Sequence, residues 1–115
     1  MNKETFVKKG TNAVAIAVGA IQAIQDIKNA GYNDNLPHNA LTLMNKSDDC
    51  ELYVFLDDAS NVLNPDFILY PNVNMTIKFD EGITYNTIFI KNTHATIAVA
   101  INELKYRIST IKEGV

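Results

Sequence analysis

MTIKFDEGITYNTIFIKNTHATIAVAI, residues 75–101, holds three apolar runs of strand length cut by two polar breaks. Met75, Ile77 and Phe79 alternate with Thr76 and Lys78, and a period of two sends one set of side chains to one face of a sheet. Asp80-Glu81-Gly82 ends that run, and Ile88, Phe89 and Ile90 resume it within residues 87–91. Lys91-Asn92-Thr93-His94 makes the second break, after which Ile97, Val99 and Ile101 alternate with Thr96, Ala98 and Ala100. Strand, turn, strand, turn, strand is the pattern of an antiparallel meander.

Outward from this meander, further strands are expected at 40–45, 50–56, 67–70 and 104–109. Their connections are Lys46-Ser47-Asp48-Asp49, the loop 57–66 and Pro71-Asn72-Val73-Asn74. About seven short strands with turn signals at intervals of roughly 8–12 residues predict a mostly β chain. The expectation is an antiparallel β-sandwich, jelly-roll or Ig-like, over residues 40–115, with one N-terminal α-helix before it. Its core would join Ile77, Phe79, Ile88, Ile90, Ile97, Val99 and Ile101 to Leu41, Leu43, Leu52, Val54 and Ile108. Several strands are apolar on both faces: Tyr53 and Phe55 fall opposite Leu52, Val54 and Leu56, and Phe89 falls opposite Ile88 and Ile90. An antiparallel sheet usually turns one polar face to water, so these spare apolar faces call for a cover.

Residues 1–39 read as an arm, a helix and a linker. MNKETFVKKG is polar and basic, and Thr11-Asn12 can cap a helix over about 13–30. Val14, Ala17, Ile21 and Ile24 follow a three-four spacing, and Gly31 suits the C-terminal stop. A helix of this length is marginal alone in water, so Val14, Ile21 and Ile24 are expected to bury against protein. The uninterrupted apolar run 13–21 is too short to cross a bilayer. With Lys3, Lys8 and Lys9 ahead of it, the run also has the layout of a signal peptide; the docking helix is the reading carried forward. Tyr32 to Asn39 is a linker, with Pro37 stopping regular structure.

A chain of 115 residues makes one domain that buries about two-thirds of its unfolded surface. The net charge of -3 is unevenly spread, because residues 47–82 carry eight acids against Lys78 alone. A nucleic-acid binder normally offers a basic face, so none is expected as partner. Cys50 is the single cysteine, which excludes an intrachain disulfide and a thiolate metal cluster.

Four groups of side chains invite a chemical reading. Asp57, Asp58, Ser60 and Asn61 offer oxygen ligands on one loop, but their spacing is not that of an EF-hand, and acids at a strand end more often form a solvated loop. His38 and His94 stand in polar loops far apart in sequence, without the nucleophile and orienting carboxylate a catalytic histidine needs. Cys50 lies between Asp49 and Glu51, whose negative charge opposes a thiolate. Tyr32, Tyr70 and Tyr85 fall in loops or at strand ends, where they suit sugar stacking or an interface. No catalytic motif is present, and the expectation is a non-enzyme with no cofactor and no metal.

ALTLMNKSDDCELYVFLDD (40–58) and FILYPNVNMTIKFDEGITYNTIFIKNTHATIAVAI (67–101) resemble small β-sandwich accessory proteins of tailed-phage virions. The resemblance implies an oligomeric capsid-decoration, head-fibre or tail component, found in the virion after assembly in the host cytoplasm. Its partners would be other virion proteins and further copies of itself, a trimer being favoured, with no membrane. The interface is expected at Val14, Ile21 and Ile24 and on the spare strand faces at Tyr53, Phe55 and Phe89. The competing reading is a carbohydrate-binding or adhesin-type module that uses loop tyrosines on a glycan.

Overall fold

The computed structural model describes residues 3–23, 38–80 and 83–112. Regular structure among them is entirely strand: β1 (Lys3–Thr11), β2 (Ile21–Ala23), β3 (Ala40–Asn45), β4 (Leu52–Leu56), β5 (Phe67–Leu69), β6 (Asn74–Lys78), β7 (Ile88–Asn92) and β8 (Leu104–Lys112). They build two four-stranded antiparallel sheets, in the orders β1-β8-β3-β6 and β2-β7-β4-β5. The pairing is nested: β1 with β8, β2 with β7, β3 with β6 and β4 with β5. Two further pairings, β3 with β8 and β4 with β7, join these pairs within each sheet.

Alternation decides what each strand buries. Leu41 and Leu43 on β3 and Leu104, Tyr106 and Ile108 on β8 face inward from the first sheet. Leu52 and Val54 on β4, Leu69 on β5, and Ile88 and Ile90 on β7 face inward from the second. All ten belong to one cluster, so the two sheets share a single core. Burying one such aliphatic side chain is worth about 1.5–3 kcal/mol, and this shared layer is what opposes the chain's conformational entropy. Tyr85 adds a ring at one end: it is buried, its hydroxyl donates to the Ala40 carbonyl at 2.6 Å, and its backbone pairs with His38.

The outward faces differ. On the first sheet, register sets Lys9, Arg107, Thr42 and Thr76 in one row and Thr11, Lys105, Met44 and Asn74 in the next. A third row holds Ser109, Ala40 and Lys78. On the second sheet the rows are Ile21-Lys91-Tyr53-Ile68 and Ala23-Phe89-Phe55. Phe55 is only 1% exposed and Ala23 is also buried, although both sit on this outward face; Tyr53 and Phe89 are half-buried.

Several expectations need correction. The helix over 13–30 is absent from its described part: residues 13–20 are loop with one bridge at Ile16, and Ile21–Ala23 is strand. The physical reason stands in the sequence, where Val14, Ile16 and Val18 alternate with Ala13, Ala15 and Ala17, a period of two built from β-branched residues that favour strands. Gly19 then takes φ +71, which a right-handed helix cannot continue. Ile24, the rest of the expected helix and Tyr32 lie outside the described residues. The stretch read as a basic arm contains β1, which pairs along β8 with a bulge between Thr5 and Lys8. The run 97–101 is not a strand either: only Val99 pairs there and is buried, while Ile97 and Ile101 are exposed. Phe79 packs half-buried against the core, and Ile77 is half-buried on β6. Tyr85, expected at the surface, is inside.

Candidate functional site

Because every pairing is antiparallel, the β1–β2, β3–β4, β5–β6 and β7–β8 connections gather at one end of the two sheets. The first and last of these, residues 12–20 and 93–103, form a short ribbon. The Ile16 and Val99 backbones exchange hydrogen bonds at 2.9 and 3.0 Å, and both side chains are fully buried. Around that bridge, Val14 (53% exposed), Val18 (43%), Ile97 (41%) and Ile101 (56%) point to solvent. Ala15, Ala17, Ala98 and Ala100 between them are exposed as well. All four side chains stand at this end of the sheets, on the two loops that the Ile16–Val99 bridge joins.

Three turns of the same kind shape the tip. The Ala20 amide donates to the Ala17 carbonyl at 3.0 Å, with Gly19 at φ +71 in third place. The Glu103 amide donates to the Ala100 carbonyl at 3.2 Å, with Asn102 at φ +69. The Val73 amide donates to the Tyr70 carbonyl at 3.2 Å, with Asn72 at φ +58. Positive φ at the third position is the requirement of a type II turn, met by glycine and by asparagine. Each turn lifts its second residue outward; in two of them that residue is Val18 or Ile101, where a surface turn gains nothing from a β-branched aliphatic side chain.

Buried asparagines hold the tip from beneath. The Asn92 side-chain amide donates to the Ile16 carbonyl (3.2 Å) and the Ile97 carbonyl (2.9 Å), and its oxygen accepts from the His94 amide at 3.0 Å. Asn12 donates to the Val14 and Ala100 carbonyls, both at 2.9 Å, and accepts from the Leu104 amide at 2.9 Å. Asn45 donates to the Cys50 carbonyl at 2.7 Å and accepts from the Ser47 amide at 3.1 Å. Each asparagine thus stands in for backbone partners where the ladders stop.

The residues singled out for chemistry are used structurally. Nδ1 of His94 accepts from the Thr96 and Ile97 amides at 3.0 and 2.9 Å, which caps the ribbon's loop. His38 is buried at the opposite end, where its Nδ1 lies 3.3 Å from the Thr110 hydroxyl. The Cys50 thiol is buried and donates to the Ile97 carbonyl at 3.3 Å. Burial, helped by the charges of Glu103 and Asp49, pushes that thiol up and suppresses the thiolate. Asp57 accepts from the Asn86 and Thr87 amides at 2.7 and 2.9 Å, and Asp66 from the Leu56 amide at 2.7 Å. Asp58 accepts from the Ser60 amide at 2.8 Å, and its hydrogen bonds with Ser60 draw its carboxyl below the usual range. These oxygens brace loops, and among the described residues no group of three or more acidic, histidine or cysteine side chains is placed to hold a metal.

Of the expected interface residues, Val14 lies on the tip, Ile21 is half-buried on β2, and Tyr53, Phe55 and Phe89 share the second sheet's outward face. Ile21 is on that face too, in the row of Tyr53, so Val14 stands apart from the other described members of the set. Sequence reasoning missed Val18, Ile97 and Ile101 as surface residues. The signal was present for two of them: a Gly or Asn one place after the aliphatic residue, as in Pro71-Asn72, where proline made the turn legible. No family model, no curated protein and no solved structure matches this chain.

Proposed function

We propose that this chain is a non-enzymatic structural protein, a jelly-roll β-sandwich that joins copies of itself or neighbouring subunits in a larger particle. The nested pairing of first strand with last, second with seventh, third with sixth and fourth with fifth supports the jelly-roll reading over an Ig-like one. Jelly rolls recur in viral capsid proteins and in lectins, and fold by itself does not decide between such roles. The sequence resemblance to tailed-phage accessory proteins favours the particle, as a capsid-decoration, head-fibre or tail component.

One observation carries the reading: the exposed aliphatic tip of Val14, Val18, Ile97 and Ile101, held rigid by buried asparagines. Contiguous exposed apolar surface marks a contact site, and nothing in the packing of either turn calls for Val18 or Ile101. Sedimentation velocity over a wide concentration range tests it. The parent is expected to self-associate, and the paired change Val18→Asp and Ile101→Asp to give a folded monomer by circular dichroism. A parent that stays monomeric at every concentration, or a doubly changed chain that associates unaltered, overturns the proposal. The glycan-binding alternative rests on Tyr70, exposed at the same end; it is favoured if a monomer binds a glycan and Tyr70→Ala abolishes that binding.

A further inference from the structure

Four strands stand at the edges of the two sheets: β1 and β6 in one, β2 and β5 in the other. An edge strand offers unpaired backbone groups to another chain, and proteins blunt such edges by brevity, bulges, proline or lysine. Three of these edges are blunted. β1 is interrupted by its bulge between Thr5 and Lys8 and carries Lys3, Lys8 and Lys9, while β2 and β5 have three residues each. β6 differs: its five residues keep unbroken register along β3, contain no proline or glycine, and carry one charge, at Lys78 where the strand ends. The bonds at either end of β6 show which backbone groups face outward. The Asn45 amide donates to the Val73 carbonyl at 3.1 Å and the Phe79 amide to the Asn39 carbonyl at 2.8 Å. Antiparallel alternation then turns Met75 and Ile77 toward β3, and the N–H and C=O of Asn74 and Thr76 away from it. Both of these residues are exposed, and among the described residues nothing bonds their backbones on that side.

We infer, resting on the self-assembling role proposed above, that β6 pairs antiparallel with β6 of a second copy about a two-fold axis at Met75. The two sheets then continue into one, the strand-addition mode of recognition with an isologous interface. In this register Asn74 exchanges both its hydrogen bonds with Thr76 of the second copy, and Thr76 with its Asn74, so the open groups of each edge satisfy the other. The side chains agree. Met75 and Ile77 lie beside Leu43 and Leu41 on the inward face; both are half-buried, and Val73 next to them is 42% exposed. Pairing sets Met75 against Met75 of the second copy and Val73 against its Ile77, so each apolar rim covers the other. Like charges do not meet, because Lys78 falls opposite Asn72 and the two lysines stand about 20 Å apart along the strands. The joined strands run in opposite directions, which points the two tips away from each other. Edge and tip therefore join different pairs of copies.

Disulfide capture tests the register. Residues opposed in a non-hydrogen-bonded pair have Cα atoms about 4.5 Å apart, within the span of a disulfide, so Met75→Cys is expected to give a covalent dimer under mild oxidation. Ile77→Cys is the comparison, because two copies of residue 77 stand about 13 Å apart along the strands; its capture is expected to be at least about tenfold slower. Cys50 is buried, and the unchanged chain gives its background. Adding Thr76→Pro to Met75→Cys should slow capture about tenfold with circular dichroism unchanged, since proline there removes an outward N–H and spares the ladder to β3. Equal rates for Met75→Cys and Ile77→Cys overturn the inference, as does capture undiminished by Thr76→Pro in a folded chain. The edge alone is a weak contact, invisible to sedimentation, whereas capture accumulates brief encounters. The same variants carrying Val18→Asp and Ile101→Asp keep the tip out of the measurement. Capture at Met75 in that background upholds the edge whatever the tip does, and its failure, when the parent chain associates, removes the edge and leaves the assembly reading standing.

Discussion

Replacing Asn92 with alanine deletes three hydrogen bonds from the floor of the tip: two donated to the Ile16 and Ile97 carbonyls and one accepted from the His94 amide. A net buried hydrogen bond is worth about 1 kcal/mol, and leaving its partner unsatisfied costs more. Two partners keep other donors, since the Ile16 carbonyl also accepts from the Val99 amide and the Ile97 carbonyl from the Cys50 thiol. The His94 amide keeps no such substitute among the bonds described, so the expected loss is about 3 kcal/mol. With a urea slope of about 1.5 kcal/mol/M, the unfolding midpoint falls by about 2 M, read by circular dichroism. Asn86→Ala is the control: Asn86 is exposed and its hydrogen bond to Asp57 uses the backbone, so its loss should stay under about 0.5 kcal/mol. Asn92→Asp sharpens the test, because the second oxygen of the new carboxyl faces the two carbonyls that the amide satisfied. The ionised form is disfavoured in the folded chain, so the new carboxyl's folded pKa lies above its unfolded value near 3.9. Its stabilising share is then fully present below about pH 4 and is lost as pH rises through the folded pKa. An Asn92→Ala loss below about 1 kcal/mol, or an Asn92→Asp variant as stable at neutral pH as the parent, would refute this role of Asn92 beneath the tip.

Two further predictions follow from single residues. Asp57→Ala removes an acceptor shared by two amides from a residue at φ +65, and should cost about 2–3 kcal/mol in urea unfolding; Asp57→Gly should cost about 1 kcal/mol less, because glycine accepts the positive φ, and equal losses would discard the backbone part of that argument. Cys50, buried with its thiolate suppressed, should react with a thiol reagent at mildly alkaline pH at least about a hundredfold more slowly in the native chain than in urea; comparable rates would mean that the loop over it opens freely.

What the sequence made legible follows from how local the signals are. The strand Ala40–Asn45 is read to the residue, because its apolar positions alternate and polar turn residues bound it. The cores of β4, β7 and β8 are read for the same reason, and their inward residues Leu52, Val54, Ile88, Ile90 and Ile108 are buried as expected. The failures share one cause. Residues 13–21 satisfy a three-four spacing and, over 13–18, a strict alternation as well, and the choice between them is made by long-range partners. Those partners are Val99 across the bridge and Asn92 beneath it, more than seventy residues away in sequence. Alternation at 97–101 misled in the opposite direction: the pattern of a strand is there, but pairing reaches only Val99.

The tip's rigidity decides whether its apolar residues work as an interface. Val14, Val18, Ile97 and Ile101 are about half exposed, so covering what remains is worth about 1 kcal/mol each, or about 4 in all. Association costs at least about 4 kcal/mol in lost translation and rotation, and ordering a flexible loop adds more. One contact between mobile loops of this composition would therefore not hold. Here the ordering cost is met on folding, by the Ile16–Val99 bridge, the three turns with positive φ and the side chains of Asn12 and Asn92. When two preorganised tips cover each other, both surfaces count, about 8 kcal/mol against the association cost, which leaves a weak self-contact seen at high concentration; it gains decisively when a second contact on the same chain raises its effective concentration. That balance suits a subunit held at several points in a symmetric particle better than a protein that must bind one partner tightly from dilute solution.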